Sequence, residues 1–428
     1  MKVVLALALF ACAGCMQKPD PSPALGRVAE SYVKLVLALG AHDANYVDAY
    51  YGPANWKAEA SHAAASLETI QRRAAALVSE VQRVDVAGSE EPIQLRHRYL
   101  VKQLQSMKAR AEMLAGKKLR FDEESAALYD AVEPHHSDAE FQNALNRLEP
   151  LLPGPGSLAD RYETFQKGFA VPRAKLAAVF RAAVDEARKR TKDHIALPAN
   201  ENFRIEYVTG QVWSAYNWYK GDAQSLIQVN TDLPIDVDFA IRLACHEGYP
   251  GHHVYNALLE DRLVRKRNWI EFTVYPLYSP QSLIAEGTAD LGVDLAFPPT
   301  DRLGFQQKVL FPLAGLDPGT AALHGRVQDL VAKLGYAVDE AARRYLDGAI
   351  TRDGALAWLN RYALQSPKKA QQQIRFIEQN RAYLINYRLG KDLTRRYLDR
   401  LGATPAHPEL EWREFEKLLS SPRLPSGL

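Results

Sequence analysis

Cysteine is scarce in this sequence, which has three cysteines in 428 residues: Cys12, Cys15 and Cys245. Only Cys245 lies in the body of the chain, because the other two belong to its first fifteen residues. This distribution excludes a fold held together by a disulfide framework. Stability must therefore come from a large apolar core, and the hydrophobic content of 47% is typical of a globular protein that can form one.

An excess of either charge is also absent, since 53 Lys and Arg residues face 51 Asp and Glu residues. A nucleic-acid-binding protein usually has a basic excess or a basic stripe. We therefore predict no nucleic-acid partner. The composition favours chemistry on small molecules or peptides.

The beginning of the chain, MKVVLALALFACAGC, has one charge at Lys2, a short apolar run and small residues before Cys15. This pattern predicts a signal peptide over residues 1–14, and the apolar run is too short for a permanent membrane span. Its end resembles a bacterial lipobox, although Cys12 stands where an aliphatic residue is usual. The resemblance implies cleavage before Cys15 and acylation of Cys15, followed by a polar, proline-rich tether over residues 15–25.

Acylation of Cys15 predicts an exported protein that is attached to the cell envelope by a lipid anchor. Met16 follows this cysteine in place of the aspartate that retains lipoproteins in the inner membrane, which favours the periplasmic face of the outer membrane. Plain secretion with a free Cys15 thiol is the alternative.

The rest of the chain is mainly α-helical by its apolar periodicity, with a first stripe that begins near residue 27. Long helical stripes follow over residues 62–83, 90–115, 172–192, 318–335 and 355–400. No proline-rich or glycine-rich linker divides the chain. We predict one large helical domain over residues 26–428, with two lobes around a cleft as a variant of this arrangement.

One region breaks the helical rhythm. FRIEYV (203–208) and SLIQVN (225–230) alternate apolar and polar residues, which predicts two short strands. The aromatic segment VWSAYNWYKGD between them is predicted to be a loop. A small β-sheet should therefore precede the histidine cluster at residues 246–253.

That cluster, HEGYPGHH, follows a helix start at which Asp236 can cap the first turn. His246 and Glu247 begin like the zinc-peptidase signature HExxH, in which two histidines four residues apart bind zinc and the glutamate activates water. Pro250 occupies the position of the second histidine. The next histidine, His252, would lie about 9 Å further along an ideal helix and about 120° around it.

Pro250 and Gly251 offer a way to close this gap, because proline disfavours helix at the residue before it and glycine permits almost any turn. We predict that the helix bends there and brings His252 back towards His246. His253 is expected behind the metal site, and it is also the alternative ligand. Cys245 is predicted to be a small buried residue rather than a nucleophile, since neighbours on a helix do not face each other.

A third ligand is expected from LIAEGTADLGVDLAF, where Glu286 and Asp290 share one helical face. Glu286 would complete the two-histidine, one-carboxylate set of a catalytic zinc, and Asp290 would accept the second ring N–H of a ligating histidine. Glu247 would then be the general base. The alternatives are a buried Glu286 paired with an arginine and an Asp290 on a solvated face.

These motifs resemble the bacterial domain-of-unknown-function 885 family, whose members are similar to gluzincin metallopeptidases. HEGYPGHH, AEGTADLG, VDAYYGPANW, WSAYNWYKG and YLINYRLGKDL carry the resemblance over most of the chain. It implies a zinc site formed by His246, His252 and Glu286, with Glu247 as the base. Thr288 departs from the family pattern, which usually has tryptophan there.

Supporting residues are expected further along the chain. A tyrosine or an arginine steadies the oxyanion in such peptidases, which makes Tyr387 and Arg361 candidates. Tyr387 is preferred because it matches the family's Y-x-x-G-K segment. Tyr383 is a candidate for substrate binding, and Asn230 and Thr231 could hold the substrate main chain by strand addition.

The sequence therefore predicts a lipid-anchored, zinc-dependent peptidase that acts on short peptides. A non-catalytic helical lipoprotein with a structural or ligand-holding metal site is one alternative. A metal hydrolase of non-peptide amides is another. A structural zinc would need a fourth protein ligand, which Cys245 or His253 could supply.

Overall fold

The computed structural model describes residues 20–428, so the predicted signal peptide (1–14) and the predicted lipidation site Cys15 lie outside the described residues. The first helix begins at Ser22, before the predicted end of the tether at residue 25. The described chain is mainly α-helical, as predicted. Among these residues, no helix combines the length and the apolar character needed to cross a membrane.

The α-helices are numbered in chain order. They are α1 Ser22–Gly40, α2 Ala54–Ala63, α3 Leu67–Gln82, α4 Glu91–Leu114, α5 Phe121–Tyr129, α6 Asp138–Leu148, α7 Leu158–Lys167, α8 Leu176–Lys192, α9 Val237–Leu243, α10 His252–Leu259, α11 Pro280–Ala296, α12 Pro299–Phe305, α13 Phe311–Ala314, α14 Ala321–Ala332, α15 Tyr336–Leu346, α16 Arg352–Ala363, α17 Pro367–Asn380, α18 Ile385–Arg400 and α19 Pro408–Leu419. Wider π-helical turns cover Ala244–Gly248, Glu260–Arg265 and Gln306–Leu310.

Most predicted stripes correspond to single helices, but the stripe over 355–400 does not. It is divided among α16, α17 and α18. Left-handed backbone at Leu364, with φ of 53°, ends α16, and Arg381, with φ of 52°, ends α17. The apolar period continues through both breaks because all three helices bury a face in the same core, so periodicity alone could not reveal the breaks.

The predicted sheet is present and has one strand more than expected. β2 (Asn202–Val208) runs parallel to β4 (Gln224–Asn230), and β3 (Ala215–Gly221) pairs antiparallel with β4. The prediction of a loop between these two strands is therefore wrong for residues 215–221, which form β3. This segment pairs directly with β4, because the chain makes a tight reversal after Gly221, which has φ of +81°.

A second, two-stranded sheet was not predicted. β1 (Val47–Tyr50) pairs antiparallel with β5 (Val274–Pro276) across a long sequence separation. Both strands are too short for alternation to identify them. This sheet lies beside the site described below.

The buried apolar side chains form one large cluster and one smaller cluster. The smaller cluster lies where five helices meet, namely α6, α7, α14, α15 and α16. It includes Phe141, Leu148, Tyr162 and Tyr362. The large cluster contains the buried faces of α1, α4, α8 and α11.

The closest helix packing in the large cluster is between α11 and α18. A Cβ atom added to Gly287 would lie 2.3 Å from the backbone carbon of Gly390, so the two backbones touch where these helices cross. This crossing sets α18 against the helical turn that carries Glu286.

Candidate metal centre

The histidine segment follows the predicted bend. The Asp236 carboxylate accepts a hydrogen bond from the Phe239 amide at 2.8 Å and caps α9. After α9, a π-helical turn carries His246 and Glu247, the helical path stops at Tyr249, and α10 begins at His252.

Gly251 makes the turn possible. Its amide donates to the Cys245 carbonyl at 2.9 Å, and a Cβ atom at this position would lie 1.9 Å from the His246 carbonyl oxygen. No side chain larger than hydrogen fits there. The new helix therefore starts directly against the turn that holds His246.

Three predicted ligands converge as a result. The Nε2 atoms of His246 and His252 are 3.1 Å apart, and they lie 3.0 and 3.5 Å from Oε2 of Glu286. One ligand atom from each residue falls within 4.8 Å of the others. This spacing is small enough for the three atoms to contact one ion after slight movement.

The donor chemistry fits a divalent metal. Oε2 of Glu286 is buried and makes no hydrogen bond of normal geometry with the described residues, and its nearest polar neighbours are the two imidazole nitrogens at 3.0 and 3.5 Å. A buried carboxylate oxygen needs a partner, and a metal ion between these three atoms would supply one. The other oxygen of Glu286, Oε1, accepts a hydrogen bond from the Tyr383 hydroxyl at 2.6 Å. The carboxylate is therefore held with one oxygen free to face the two imidazole nitrogens.

Asp290 lies behind His246, at the predicted place. Its Oδ1 is 2.9 Å from His246 Nδ1. Burial opposes ionisation of Asp290, but the hydrogen bond and the positive charge of His246 together hold its pKa below the usual value. When His246 is neutral, as a metal ligand must be, the ionised Asp290 holds its remaining proton on Nδ1, which leaves the lone pair of Nε2 for a metal.

Glu247 lines the same pocket as the three candidate ligands. Asn217 donates to its backbone carbonyl at 2.7 Å and fixes the main chain there. Burial raises the pKa of its carboxyl group, against the opposing influence of His246 and His252. A raised pKa near a metal site suits a group that must take up and release a proton.

Tyr383 and Tyr387 also line this pocket, and the ring of Tyr387 lies 6.2 Å from that of His246. By sequence, Tyr383 is a candidate for substrate binding. In the structure its hydroxyl donates a hydrogen bond to Glu286 instead. Tyr387 remains the candidate for the oxyanion donor.

The prediction that Arg361 steadies the oxyanion is wrong, because Arg361 does not line the pocket of the candidate metal centre. Arg361 lies at the second, separate pocket beside Gln142, and its guanidinium stacks on Tyr362. It and Tyr387 are close in sequence, but the breaks after α16 and α17 turn the chain between them and separate the two side chains.

His253 belongs to a different hydrogen-bond network from His252. Its Nδ1 is 2.9 Å from the Ser225 hydroxyl and its Nε2 is 3.2 Å from Glu201. Adjacent residues on α10 point about 100° apart, so only His252 faces Glu286. His253 therefore neither joins the three donors nor lies directly behind them.

Asn230 and Thr231 do not offer an edge for strand addition. Asn230 is the last residue of β4 and Thr231 follows it, and β4 is the central strand of its sheet, with both edges already paired. The Asn230 amide donates to the Gln211 and Trp213 carbonyls, and the Thr231 hydroxyl donates to the Val208 carbonyl. Their polar groups are used within the sheet.

The prediction for Cys245 agrees with the structure. Cys245 is fully buried, and burial raises the pKa of its thiol. Thr288, which departs from the family pattern, donates its hydroxyl to the Ile284 carbonyl of its own helix and does not line the pocket of the candidate metal centre.

The cavity that contains the site has a volume of about 160 Å³. Prediction from sequence missed part of its wall, namely Asp48 on β1 and Tyr216, Asn217 and Trp218 on β3. The available signal was that VDAYYGPANW and WSAYNWYKG are among the motifs that resemble the family. Their contribution to the site depends on tertiary packing, in which β3 lies against α10 and β1 lies against β3.

Two solved structures are similar to this chain, and the first of them shows a shared fold. A crystal structure described as that of "the putative lipoprotein from Colwellia psychrerythraea" has a TM-score of 0.50 and 15% identity, over 86% of this chain and 70% of that chain. A "putative lipoprotein of unknown function from Shewanella oneidensis" has a TM-score of 0.41 and 13% identity, over 93% of this chain and 82% of that one. No protein-family model and no curated protein matches this chain.

Proposed function

We propose that this protein is a zinc-dependent peptidase that hydrolyses short peptides. The observation that carries the proposal is the convergence of His246, His252 and Glu286 within 4.8 Å, beside Glu247, in one buried pocket. The sequence motifs further support membership in the domain-of-unknown-function 885 family, with a lipid anchor at Cys15 and a location on the periplasmic face of the outer membrane.

His246, His252 and Glu286 would hold the metal. When bound, zinc supplies a Lewis acid that polarises a carbonyl group and makes water acidic near neutral pH. No fourth histidine, cysteine or carboxylate of the described residues joins the three donors. This donor set is that of a catalytic site with an open position, whereas a structural zinc is enclosed by four protein ligands.

Glu247 performs the proton transfers in this proposal. Its carboxylate takes a proton from water as the water oxygen bonds to the peptide carbonyl carbon. It then gives that proton to the nitrogen of the leaving amine as the C–N bond breaks. The products are a carboxylic acid and an amine, which exchange the second proton of the water to become a carboxylate and an ammonium ion, and Glu247 returns to its starting state.

Tyr387 is the proposed donor to the carbonyl oxygen as negative charge develops on it. Burial, followed by the charge of Glu286, raises the pKa of this phenol well above its usual value. The hydroxyl therefore keeps its proton and can donate a hydrogen bond.

The test is metal analysis of the full chain together with an assay of Glu247→Gln against a peptide library. We expect wild type to hold one zinc and to cleave peptides. Glu247→Gln should keep the zinc and lose activity by about 10²–10⁴-fold, the usual contribution of a general base. Glu163→Gln, on α7, is the matched control and should retain full activity.

Two outcomes would overturn the proposal. A wild-type protein that takes up no zinc has no metal mechanism. A Glu247→Gln variant that keeps both zinc and full activity would show that another group moves the proton. His252→Ala tests the ligand assignment separately, since it should lose the zinc itself.

A further inference from the structure

Asp48 is placed in the metal-site pocket by an irregularity in β1. Val47 pairs with Pro276 and Ala49 with Tyr275, so the register shifts at Asp48 and leaves it without a partner on β5. Such a bulge re-aims the side chain of the extra residue. Asp48 lines the pocket, and its Oδ1 accepts a hydrogen bond from the Tyr216 hydroxyl.

The pocket is acidic. Three carboxylates, those of Asp48, Glu247 and Glu286, line it, and no lysine or arginine appears among the described residues of its wall. Glu286 is engaged by the histidines and Tyr383, and Glu247 is assigned to proton transfer. Asp48 is the carboxylate left without a role.

An aromatic wall lies next to Asp48. The ring of Tyr216 is 4.5 Å from that of Trp218 and 5.6 Å from that of Trp213, and all three residues line the pocket. Aromatic faces attract cations through their negative electrostatic potential. A carboxylate beside such faces is a binding site for an ammonium group and disfavours an anion.

The size of the cavity limits what can enter it. A volume of about 160 Å³ is similar to that of cavities that hold one benzene-sized group. This space suits a terminal residue of a peptide better than several consecutive residues.

We propose that Asp48, with the wall formed by Trp213, Tyr216 and Trp218, binds the α-ammonium group of the substrate. The substrates are then peptides with a free amino terminus, cleaved near that end. This inference rests on the proposed peptidase function. A free carboxyl terminus would find no lysine or arginine among the described residues of the pocket to pair with.

The ionisation of Asp48 is compatible with this role. Burial raises its pKa to about 6, although the Tyr216 hydrogen bond acts in the opposite direction. The carboxylate is thus mainly charged at neutral pH, and an arriving ammonium group stabilises that charge further.

The kinetic test uses one peptide in three forms: free, N-acetylated and C-amidated. We expect N-acetylation to lower kcat/KM by about 10–100-fold, the value of a hydrogen bond to a charged group. C-amidation should change it by less than about threefold. Asp48→Asn should lose the preference for the free amine while it retains zinc and the Tm of wild type, and Tyr216→Phe, which keeps the carboxylate, should retain the preference.

A binding test separates this inference from the peptidase function. Phenethylammonium and neutral 2-phenylethanol have nearly the same shape and contain no bond to hydrolyse. The cation should bind the zinc-loaded wild type about tenfold more tightly or better, and Asp48→Asn should remove the difference. Quenching of tryptophan fluorescence can report binding, because Trp213 and Trp218 line the pocket.

The outcomes are distinct. Equal binding of the two probes, or a difference that persists in Asp48→Asn, overturns the ammonium site. Equal cleavage of free and N-acetylated peptides overturns it as well and leaves the peptidase standing. If the cation binds more tightly in a way that depends on Asp48, but no peptide is cleaved, the ammonium site is supported and the proposed peptidase function is overturned.

Discussion

At the scale of single residues, Asp290 determines which nitrogen of His246 is available to a ligand. It lies 2.9 Å from Nδ1, one helical turn beyond Glu286 on α11, so one helix supplies a candidate ligand and the group that orients another. Partners of this kind fix both the tautomer and the ring orientation of a metal-binding histidine. The cost of losing Asp290 should therefore appear in metal affinity.

We expect Asp290→Asn to weaken zinc binding by about 10–100-fold, because the amide can no longer enforce a proton on Nδ1. Competition with a chromogenic chelator measures this affinity. Asp294→Asn is the matched control on the same helix, since Asp294 pairs with Arg302 and Lys391 outside the pocket. A loss of affinity that is equal in both variants would contradict the positioning role.

Glu201 is a second residue whose importance is visible only in three dimensions. Its buried carboxylate contacts Arg188 at 2.7 Å and His253 at 3.2 Å, and it accepts a hydrogen bond from the Tyr249 hydroxyl. Glu201 therefore connects the turn after His246 to α8 and to the start of β2. Burial opposes its ionisation, but these partners lower its pKa from 4.5 to about 2.

The lowered pKa predicts a pH-dependent stability. Because the folded-state pKa lies below the unfolded value, Glu201 stabilises the fold fully above pH 4.5 and loses this effect as the pH falls towards 2. Glu201→Gln should therefore have a lower free energy of unfolding than wild type at pH 7. This difference in free energy should shrink as the pH falls from 4.5 towards 2. Urea unfolding at several pH values measures it, with Glu206→Gln on the exposed part of β2 as control. A difference that stays constant with pH would contradict the assignment.

At the scale of elements, the site depends on how closely α11 approaches its neighbours. Gly287 meets the backbone of Gly390 on α18, and a Cβ atom at Gly292 would lie 2.8 Å from the ring of Pro250 in the metal-site turn. One helix thus uses two glycines to approach two neighbours closely: α18, which carries Tyr387, and the bend between His246 and His252. Neither contact leaves room for a methyl group.

Gly287→Ala should separate α11 from α18 and destabilise the protein by about 1–3 kcal/mol, the usual cost of overpacking. Zinc affinity should fall with it, because Glu286 is the adjacent residue. Thermal unfolding and chelator competition measure the two effects. Gly325→Ala on α14 is the matched control, since a Cβ atom there meets nothing within 4 Å, and it should be neutral or slightly stabilising. Equal stability of the two variants would show that the crossing can relax.

At the scale of the whole molecule, the large apolar core begins with α1, whose buried residues include Leu25, Val28 and Tyr32. The packed body therefore starts close in sequence to Cys15, the predicted site of acylation. A catalytic domain anchored in this way would act near the membrane surface.

We expect Cys15→Ser to move the full chain from the membrane fraction to the soluble fraction of the cell envelope, because a hydrophobic anchor is lost. Immunoblots of the two fractions measure the change. Cys245→Ser is the matched control, since Cys245 is buried in the core and should not affect localisation. Retention of Cys15→Ser in the membrane fraction would contradict acylation at this position.

The helical class, the two strands β2 and β4, and the three converging donors with Asp290 behind them could be predicted from the sequence. These features rest on local rules: apolar periodicity, alternation, and the effects of Pro250 and Gly251 on the backbone. A helical turn also fixes which residues share a face, so Glu286 and Asp290 could be paired correctly.

The distant segments that complete the pocket could not be predicted from the sequence, because they are brought together by tertiary packing. Asp48 reaches it through the pairing of β1 with β5, and Arg361 is excluded by the breaks between α16 and α18. His253 is turned to Glu201 by its position on α10. Contacts between segments far apart in sequence depend on how whole elements pack, and no periodic pattern within one segment encodes that packing.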